Sequence, residues 1–403
     1  MIANFYDIES LQNVWTLCNF RPEKDLIDIY YICDDTALMD DKAARAANLG
    51  DSVADAILRI IHEKNKNFTG SIRLFDLRTE SANRHLAAKF GLSDSRMVNN
   101  PNLPDSYQAF DPNFRPVCDT DRSAEGCPCD YDPEKHPFLM GYNSYNYDTT
   151  MLAYYLSLVF HVAQPVKVDK YEKGQTRPQV SYIQPPANMA AILRDFNDSL
   201  FLGKFKANMS SRLWYSPTAG RASSARKSAN AATNWSGPDY NTPAARIRKN
   251  MLFSGRHVDV ARLNEKAQKI ALKRILGMLG AQILESDKLR PGQNVIENTE
   301  QFIDLLAYNA SDCVNLKYHV FDHKLYRGQF DLKSGLLKTY PELVYERDKT
   351  KTHHEPDISV KTVRRDRLYV DSSSAQLATK ALCPYEHLTD IPAVSFMYPS
   401  EGM

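Results

Sequence analysis

The order of hydrophobic and polar positions predicts strands first and a helix after them. Three short apolar runs open the chain, at residues 2–7, 14–20 and 26–33, and turn-like residues separate them. Runs of this length and spacing are typical of a strand meander. From Ser52 to Glu63 the apolar residues recur at helical spacing, with Ser52 as the predicted N-cap.

The later part of the chain continues with both types of element. Residues 137–142 predict a strand that leads directly into a helix over residues 148–160. Residues 256–260 predict another strand, and helical spacing recurs over 266–279 and 300–321. Together with the length of 403 residues, this pattern favours a large α/β domain with insertions, or two domains.

Two segments interrupt the periodic pattern. Residues 97–136 are rich in Pro, Asp, Asn and Cys, which indicates a long loop or insertion. Residues 218–250 are rich in small and basic residues and are expected to form a flexible basic loop. After Lys338 the pattern weakens, and we place one domain at residues 1–335 and an incomplete region at 336–403.

The charge of the chain is nearly balanced, but its distribution is not. Residues 200–275 hold 15 Lys and Arg against 3 acidic residues, while the whole chain holds 50 and 49. A basic segment in an otherwise acidic chain fits contact with a polyanion, because neutralising phosphates releases counterions. A solvated loop is the other interpretation, and both stay open.

Composition also bears on compartment and on metal binding. The chain has no apolar run of about 18 residues and no secretory signal, so we expect a cytoplasmic protein, in the host cytoplasm if it is viral, without a membrane partner. The seven cysteines are an odd number and are expected to be reduced thiols. Cys118, Cys127, Cys129 and His136 could bind zinc, although Cys-x-Cys is not the usual spacing.

Four acidic residues stand in contexts that suit a two-metal site. Asp7 and Glu9 are two positions apart on a predicted strand, so their side chains share a face. Asp148 falls at a strand-to-helix junction, and Asp312 follows Tyr308 by four positions, which puts both on one helix face. Hard cations such as Mg²⁺ need several carboxylates at one point, and a pair of them catalyses phosphodiester hydrolysis.

The order of these motifs points to a family. Asp7-x-Glu9 lies on the first strand, Asn143-x-x-x-Tyr147-Asp148 opens a helix, and Tyr308-x-x-x-Asp312 lies on a late helix. Over residues 1–320 this order resembles the three motifs of the DEDDy 3′–5′ exonucleases, and in particular the proofreading domain of phage-type family B DNA polymerases. The resemblance implies an RNase H-like fold, with a mixed five-stranded sheet flanked by helices. It also implies hydrolysis of single-stranded or frayed DNA from the 3′ end.

The same resemblance implies a role for each motif residue. Asp7 would bridge two Mg²⁺ or Mn²⁺ ions, Glu9 and Asp312 would hold the ion that carries the attacking water, and Asp148 would hold the second ion. Tyr308 would orient that water. The residues that would contact the nucleic acid are Asn143, Tyr147 and, as a third, Ser10.

Some of these residues also have a plain structural interpretation. Asn143 could be a turn residue before a helix, and Tyr147 could be a core aromatic. Lys269 and Lys273 resemble residues that contact phosphate in phage polymerases, or they form the solvent face of an ordinary helix. Asp259 is either an additional acid near the site or an acid that ends a strand.

The last residues suggest that a polymerase region begins near the end of the chain. Residues 395–400 resemble part of the palm signature of family B polymerases, but the nearest preceding acid, Asp390, is too far upstream. Asp119-Thr-Asp121 matches a palm metal-binding triplet in the wrong place. We therefore expect the proofreading part of a longer or split polymerase that acts in DNA replication. A stand-alone DNA or RNA exonuclease and a catalytically silent nucleic-acid-binding subunit are the alternatives.

Overall fold

A computed structural model describes most of the predicted α/β region. The described residues are 3–46, 50–90, 138–145, 147–161, 181–201, 257–264, 270–281 and 293–339, with isolated positions at 244, 247, 248, 374 and 377. Three of the predicted segments, namely the 97–136 insertion with its cysteines, most of the 218–250 loop and nearly all of 336–403, lie outside them. In the described part, no helix is long and apolar enough to cross a bilayer.

The centre of the fold is a six-stranded mixed sheet, with a separate two-stranded ribbon beside it. The eight strands are β1 (Ala3–Ser10), β2 (Val14–Arg21), β3 (Leu26–Cys33), β4 (Ser71–Asp76), β5 (Phe138–Gly141), β6 (Phe160–His161), β7 (Ser181–Tyr182) and β8 (His257–Asp259). In the large sheet the order is β4-β3-β2-β1-β5-β8, and β6 pairs with β7 in the ribbon.

The first three strands form the predicted antiparallel meander, which is confirmed. β4, β5 and β8 each add in parallel, to β3, β1 and β5 respectively. The predicted number of five strands is wrong, because β4 extends the sheet beyond β3. Its side chains are only partly buried, so it lacks the apolar run that identified the other five strands of the large sheet.

Helices cover both faces of the sheet. They are α1 (Asp41–Ala46), α2 (Val53–Lys64), α3 (Glu80–Lys89), α4 (Asp148–Val159), α5 (Met189–Phe201), α6 (Val260–Leu263), α7 (Leu272–Met278), α8 (Thr299–Asn315) and α9 (Lys324–Thr339). α2 and α8 share one hydrophobic core with the sheet, and α3, α4 and α5 share the other. The sheet therefore has a separate core on each side.

Several predicted boundaries differ from the structure. The first strand runs on to Ser10 and so contains both of its acids. Helix α7 begins at Leu272, not at 266, because Ala271 is its extended N-cap. After α8 the chain continues in a π-helical turn, Leu316–Phe321, and then in α9, which includes position 335. Ser52 caps α2 as predicted, and its side chain accepts a hydrogen bond from the N–H of Asp55.

Candidate metal centre

Three carboxylates from distant parts of the chain meet on one face of the sheet. Asp7 and Glu9 lie on β1, where strand alternation turns both toward the side that α8 covers. Asp312 lies on α8. One carboxylate oxygen of each of the three residues lies within 4.8 Å of the others. The packing of α8 on β1 therefore creates a cluster of oxygen donors.

Asp148 approaches the same strand from the other side. β5 pairs with β1 only as far as Phe5, so β1 continues past the end of β5. The chain turns there and enters α4, whose first residue is Asp148. The backbone N–H of Ile8, the residue between the two acids of β1, lies near the Asp148 carboxylate and lowers its pKa, although burial raises that pKa more. Asp148 is thus a neighbour of the cluster, outside the set of oxygens that lie within 4.8 Å of one another.

The turn from β5 into α4 requires glycine at position 141. A Cβ on Gly141 would lie 2.5 Å from the Cβ of Ser144 and 3.1 Å from the ring of Tyr6. The first distance is far shorter than real Cβ contacts, so a larger residue would push the turn away from the sheet. The position of Asp148 therefore depends on close backbone packing at Gly141.

Burial and mutual repulsion raise the pKa values of these acids. The pKa of Asp7 is raised well above its usual value, mainly by burial and then by the charges of Asp148, Glu9 and Asp312. Burial and the charge of Asp312 raise the pKa of Glu9 from 4.5 to about 7. Burial and then the charge of Asp259 raise the pKa of Asp148. Added positive charge at this position would stabilise the ionised forms.

Helix α8 contributes more than Asp312 to the cluster. Asn309 precedes Asp312 by three positions on the same helix face and donates a hydrogen bond from Nδ2 to Oδ2 of Asp7, at 2.9 Å. Tyr308 is partly exposed, whereas most residues of this helix are buried. The sequence motif identified Tyr308 and Asp312 and missed Asn309, although its helical spacing from Asp312 was a usable signal.

A lysine from α7 provides positive charge at the cluster. The Nζ of Lys273 donates a hydrogen bond to Oδ1 of Asp312 at 2.8 Å and lies 4.1 Å from the centre of the Tyr308 ring. Its charge lowers the pKa values of Asp7 and Glu9. Lys273 therefore contacts the acids, and its side chain does not point only into solvent. Lys269, the other predicted phosphate contact, lies outside the described residues.

The end of β1 is fixed by an arginine that the sequence did not identify. Nη1 of Arg194, on α5, donates to the carbonyl of Ser10 at 2.6 Å, and its charge lowers the pKa of Glu9. Ser10 itself is only 5% exposed, and its hydroxyl is buried. Its side chain is therefore closed off from solvent in this structure, and its contact with nucleic acid stays a prediction. No local pattern marks Arg194, because its role depends on how α5 packs.

The other two predicted nucleic-acid contacts flank the loop before α4. Asn143 is exposed and has a left-handed backbone, with φ of 55°. Tyr147 is the N-cap residue of α4 and is partly exposed. Burial, followed by the charges of Glu9, Asp148 and Asp7, raises its pKa. Tyr147 is therefore close to the acids, and the Asn143 side chain is accessible to a ligand.

The donor set fits divalent cations that prefer oxygen ligands. Asp7, Glu9 and Asp312 supply clustered carboxylates, and Oδ1 of Asp148 is buried with no hydrogen-bond partner in the described part of the chain. Carboxylates without sulfur or imidazole ligands favour Mg²⁺ or Mn²⁺ over zinc or copper. No protein-family model, curated protein or solved structure matches this chain.

Proposed function

We propose that this protein is a metal-dependent 3′–5′ exonuclease of the DEDDy type that releases nucleoside monophosphates from single-stranded or frayed DNA. We further propose that it proofreads for a family B DNA polymerase during replication. The observation that carries this proposal is the meeting of Asp7, Glu9 and Asp312, whose oxygens lie within 4.8 Å of one another. These residues belong to the first and third of the ordered sequence motifs.

The fold supports the same assignment. Strands β3-β2-β1-β5-β8 combine an antiparallel meander with two parallel additions, and helices cover both faces. A mixed sheet of this kind is what an RNase H-like fold requires. Asp7 and Glu9 lie on the central strand β1, and helices α8 and α4, on opposite faces of the sheet, carry Asp312 and Asp148.

Each side chain has a distinct task in the proposed reaction. Asp7, Glu9, Asp312 and Asp148 would hold two Mg²⁺ or Mn²⁺ ions. Such a pair supplies a nucleophilic water at neutral pH and neutralises charge that develops on the phosphate. The Tyr308 hydroxyl orients the water by hydrogen bonding and does not need to ionise.

The remaining residues bind the nucleic acid or position the acids. Asn143 and Tyr147 hold the terminal nucleotides, and the Lys273 ammonium is close enough to the cluster to contact the scissile phosphate. Asn309 holds the carboxylate of Asp7.

The direct test is digestion of a 5′-labelled single-stranded oligonucleotide by the purified chain. With Mg²⁺ or Mn²⁺ we expect a ladder of products shortened from the 3′ end, and EDTA should abolish it. A matching RNA oligonucleotide measures the preference for DNA. Digestion that EDTA does not affect would contradict the proposal. Binding without digestion would instead support a silent nucleic-acid-binding subunit.

Replacement of Lys273 by methionine should separate metal binding from turnover. Without the ammonium, Asp312 loses the positive charge that donates to its Oδ1, so the apparent affinity for Mg²⁺ should rise. The rate at saturating Mg²⁺ should fall about ten-fold, because a charged hydrogen bond to phosphate is lost. Calorimetry and single-turnover digestion measure the two effects.

Lys317→Met is a matched control for this variant. Lys317 also forms an ion pair, with Asp322, and lies over a tyrosine ring, that of Tyr318, but it is outside the cluster. The control should change neither quantity. An unchanged rate in Lys273→Met would remove Lys273 from the proposed reaction.

A further inference from the structure

Asp259 connects two loops at the edge of the candidate site. It ends β8, which lies parallel to β5, and it pairs in register with Gly141 at the end of that strand. Its side chain is nearly inaccessible, with the residue 2% exposed. Oδ1 of Asp259 accepts a hydrogen bond from the N–H of Ala261 at 3.1 Å and so caps α6. Capping of this kind is the ordinary role of an aspartate after a strand.

The same oxygen also holds the loop that leads to Asp148. Oδ1 of Asp259 accepts the backbone N–H of Asn143 at 2.8 Å, across 116 positions of sequence. Asn143 has φ of 55°, a left-handed conformation that, apart from glycine, mainly Asn and Asp adopt. A second contact fixes the loop to β8, because the Tyr145 hydroxyl donates to the carbonyl of His257 at 2.7 Å.

The negative charge of Asp259 is unfavourable at this position, next to the other acids. Asp259 is the neighbour whose charge raises the pKa of Asp148 most, so it adds to the repulsion among the acids. Capping alone could be done by serine or threonine without that repulsion. Oδ1 of Asp259 accepts both the Ala261 and the Asn143 N–H groups, and hydrogen bonds to a charged oxygen are stronger than those to a hydroxyl.

We propose that Asp259 is a positioning residue for the 3′-terminal nucleotide, which it serves by holding residues 142–145 so that Asn143 faces the ligand. This inference rests on the proposed exonuclease function, and it identifies Asp259 as a residue that sets the affinity of the protein for the 3′ end of the nucleic acid. Asp259 acts through Asn143 and contacts neither substrate nor metal in this scheme.

Two variants of Asp259 separate its geometry from its charge. Asp259→Ala removes the acceptor, whereas Asp259→Asn keeps an oxygen that can accept both N–H groups and removes the charge. Asp35→Ala is the matched control, because Asp35 caps the short helical turn Thr36–Met39 by accepting the N–H of Ala37, two positions on. That cap has the same spacing as the one between Asp259 and Ala261, at an exposed site away from the cluster.

The first measurement does not depend on catalysis. Hydrogen exchange of the peptide that covers residues 138–148 should be about ten-fold faster in Asp259→Ala than in wild type, and close to wild type in Asp259→Asn and Asp35→Ala. Without the Asp259 acceptor the Asn143 N–H is no longer hydrogen-bonded and exchanges faster. Asp35→Ala removes only the cap of the turn at Thr36–Met39. Equal exchange in Asp259→Ala and wild type would overturn the proposed role.

The second measurement connects the loop to the ligand. Binding of a fluorescent single-stranded oligonucleotide in Ca²⁺ should weaken about ten-fold in Asp259→Ala and recover in Asp259→Asn. With Mg²⁺, the KM should rise in Asp259→Ala more than kcat falls. If Asp259→Asn binds the oligonucleotide as weakly as Asp259→Ala, the loss of affinity is due to the charge of Asp259, and the proposed positioning role is contradicted. If wild type binds the oligonucleotide and does not cut it, the exonuclease function fails while the binding comparison still decides the role of Asp259.

Discussion

Replacing Asp7 or Asp148 with asparagine is expected to lower Mg²⁺-dependent digestion by about a thousand-fold or more, because each change removes a metal-binding charge from the centre of the proposed site. Asparagine keeps the shape of the side chain. At position 7 it also keeps an oxygen that can accept the hydrogen bond from Asn309, so the packing of α8 on β1 should survive. A labelled oligonucleotide assay in Mg²⁺ measures the effect.

The same two variants should be folded at least as well as wild type without metal. Burial and then like charges raise the pKa values of both acids, so removal of one acid relieves repulsion and should leave the melting temperature unchanged or raised. Asp195→Asn, at an exposed position of α5, is the control for loss of one carboxylate. Activity that persists in Asp7→Asn or Asp148→Asn would refute the proposed metal centre.

Glu9→Gln is expected to stabilise the metal-free protein in a pH-dependent way. The pKa of Glu9 is about 7 in the folded protein and 4.5 without the fold, so the folded state binds more protons between these values. The free energy of unfolding of wild type should therefore decrease as the pH rises from about 4.5 to 7. Glu9→Gln does not have this pH-dependent decrease. Its free energy of unfolding should therefore exceed that of wild type by about 1–3 kcal/mol at pH 8 and be similar to it at pH 4.

Metal should reverse this difference. Mg²⁺ binds the folded site and stabilises wild type by mass action, whereas Glu9→Gln has lost a ligand and should gain less. Urea unfolding at pH 4, 6 and 8, with and without Mg²⁺, measures both effects, and Glu63→Gln on the exposed side of α2 controls for the charge change. A variant less stable than wild type at pH 8 without metal would show that the acids do not repel one another as inferred.

Local patterns predicted the elements that are apolar and regular. The meander, the capped helix α2 and the strand-to-helix junction at Asp148 all have strong periodicity or clear turn residues. β4 was not predicted because it is only partly buried. The predicted start of α7 was too early because the helical spacing of apolar residues extends to positions before its N-cap, Ala271. Neither error moves the acids, which lie on β1, α4 and α8.

The sequence by itself determined which acids share a strand face or a helix face, because side-chain direction follows from the two-residue period of a strand and the 3.6-residue period of a helix. Only the tertiary structure decided that α8 brings Asp312 to Asp7 and Glu9, and that Lys273 and Arg194 join them. Contacts of this kind depend on how separate elements pack across a sheet. The periodicity of residues within one helix or strand does not predict which other elements pack against it.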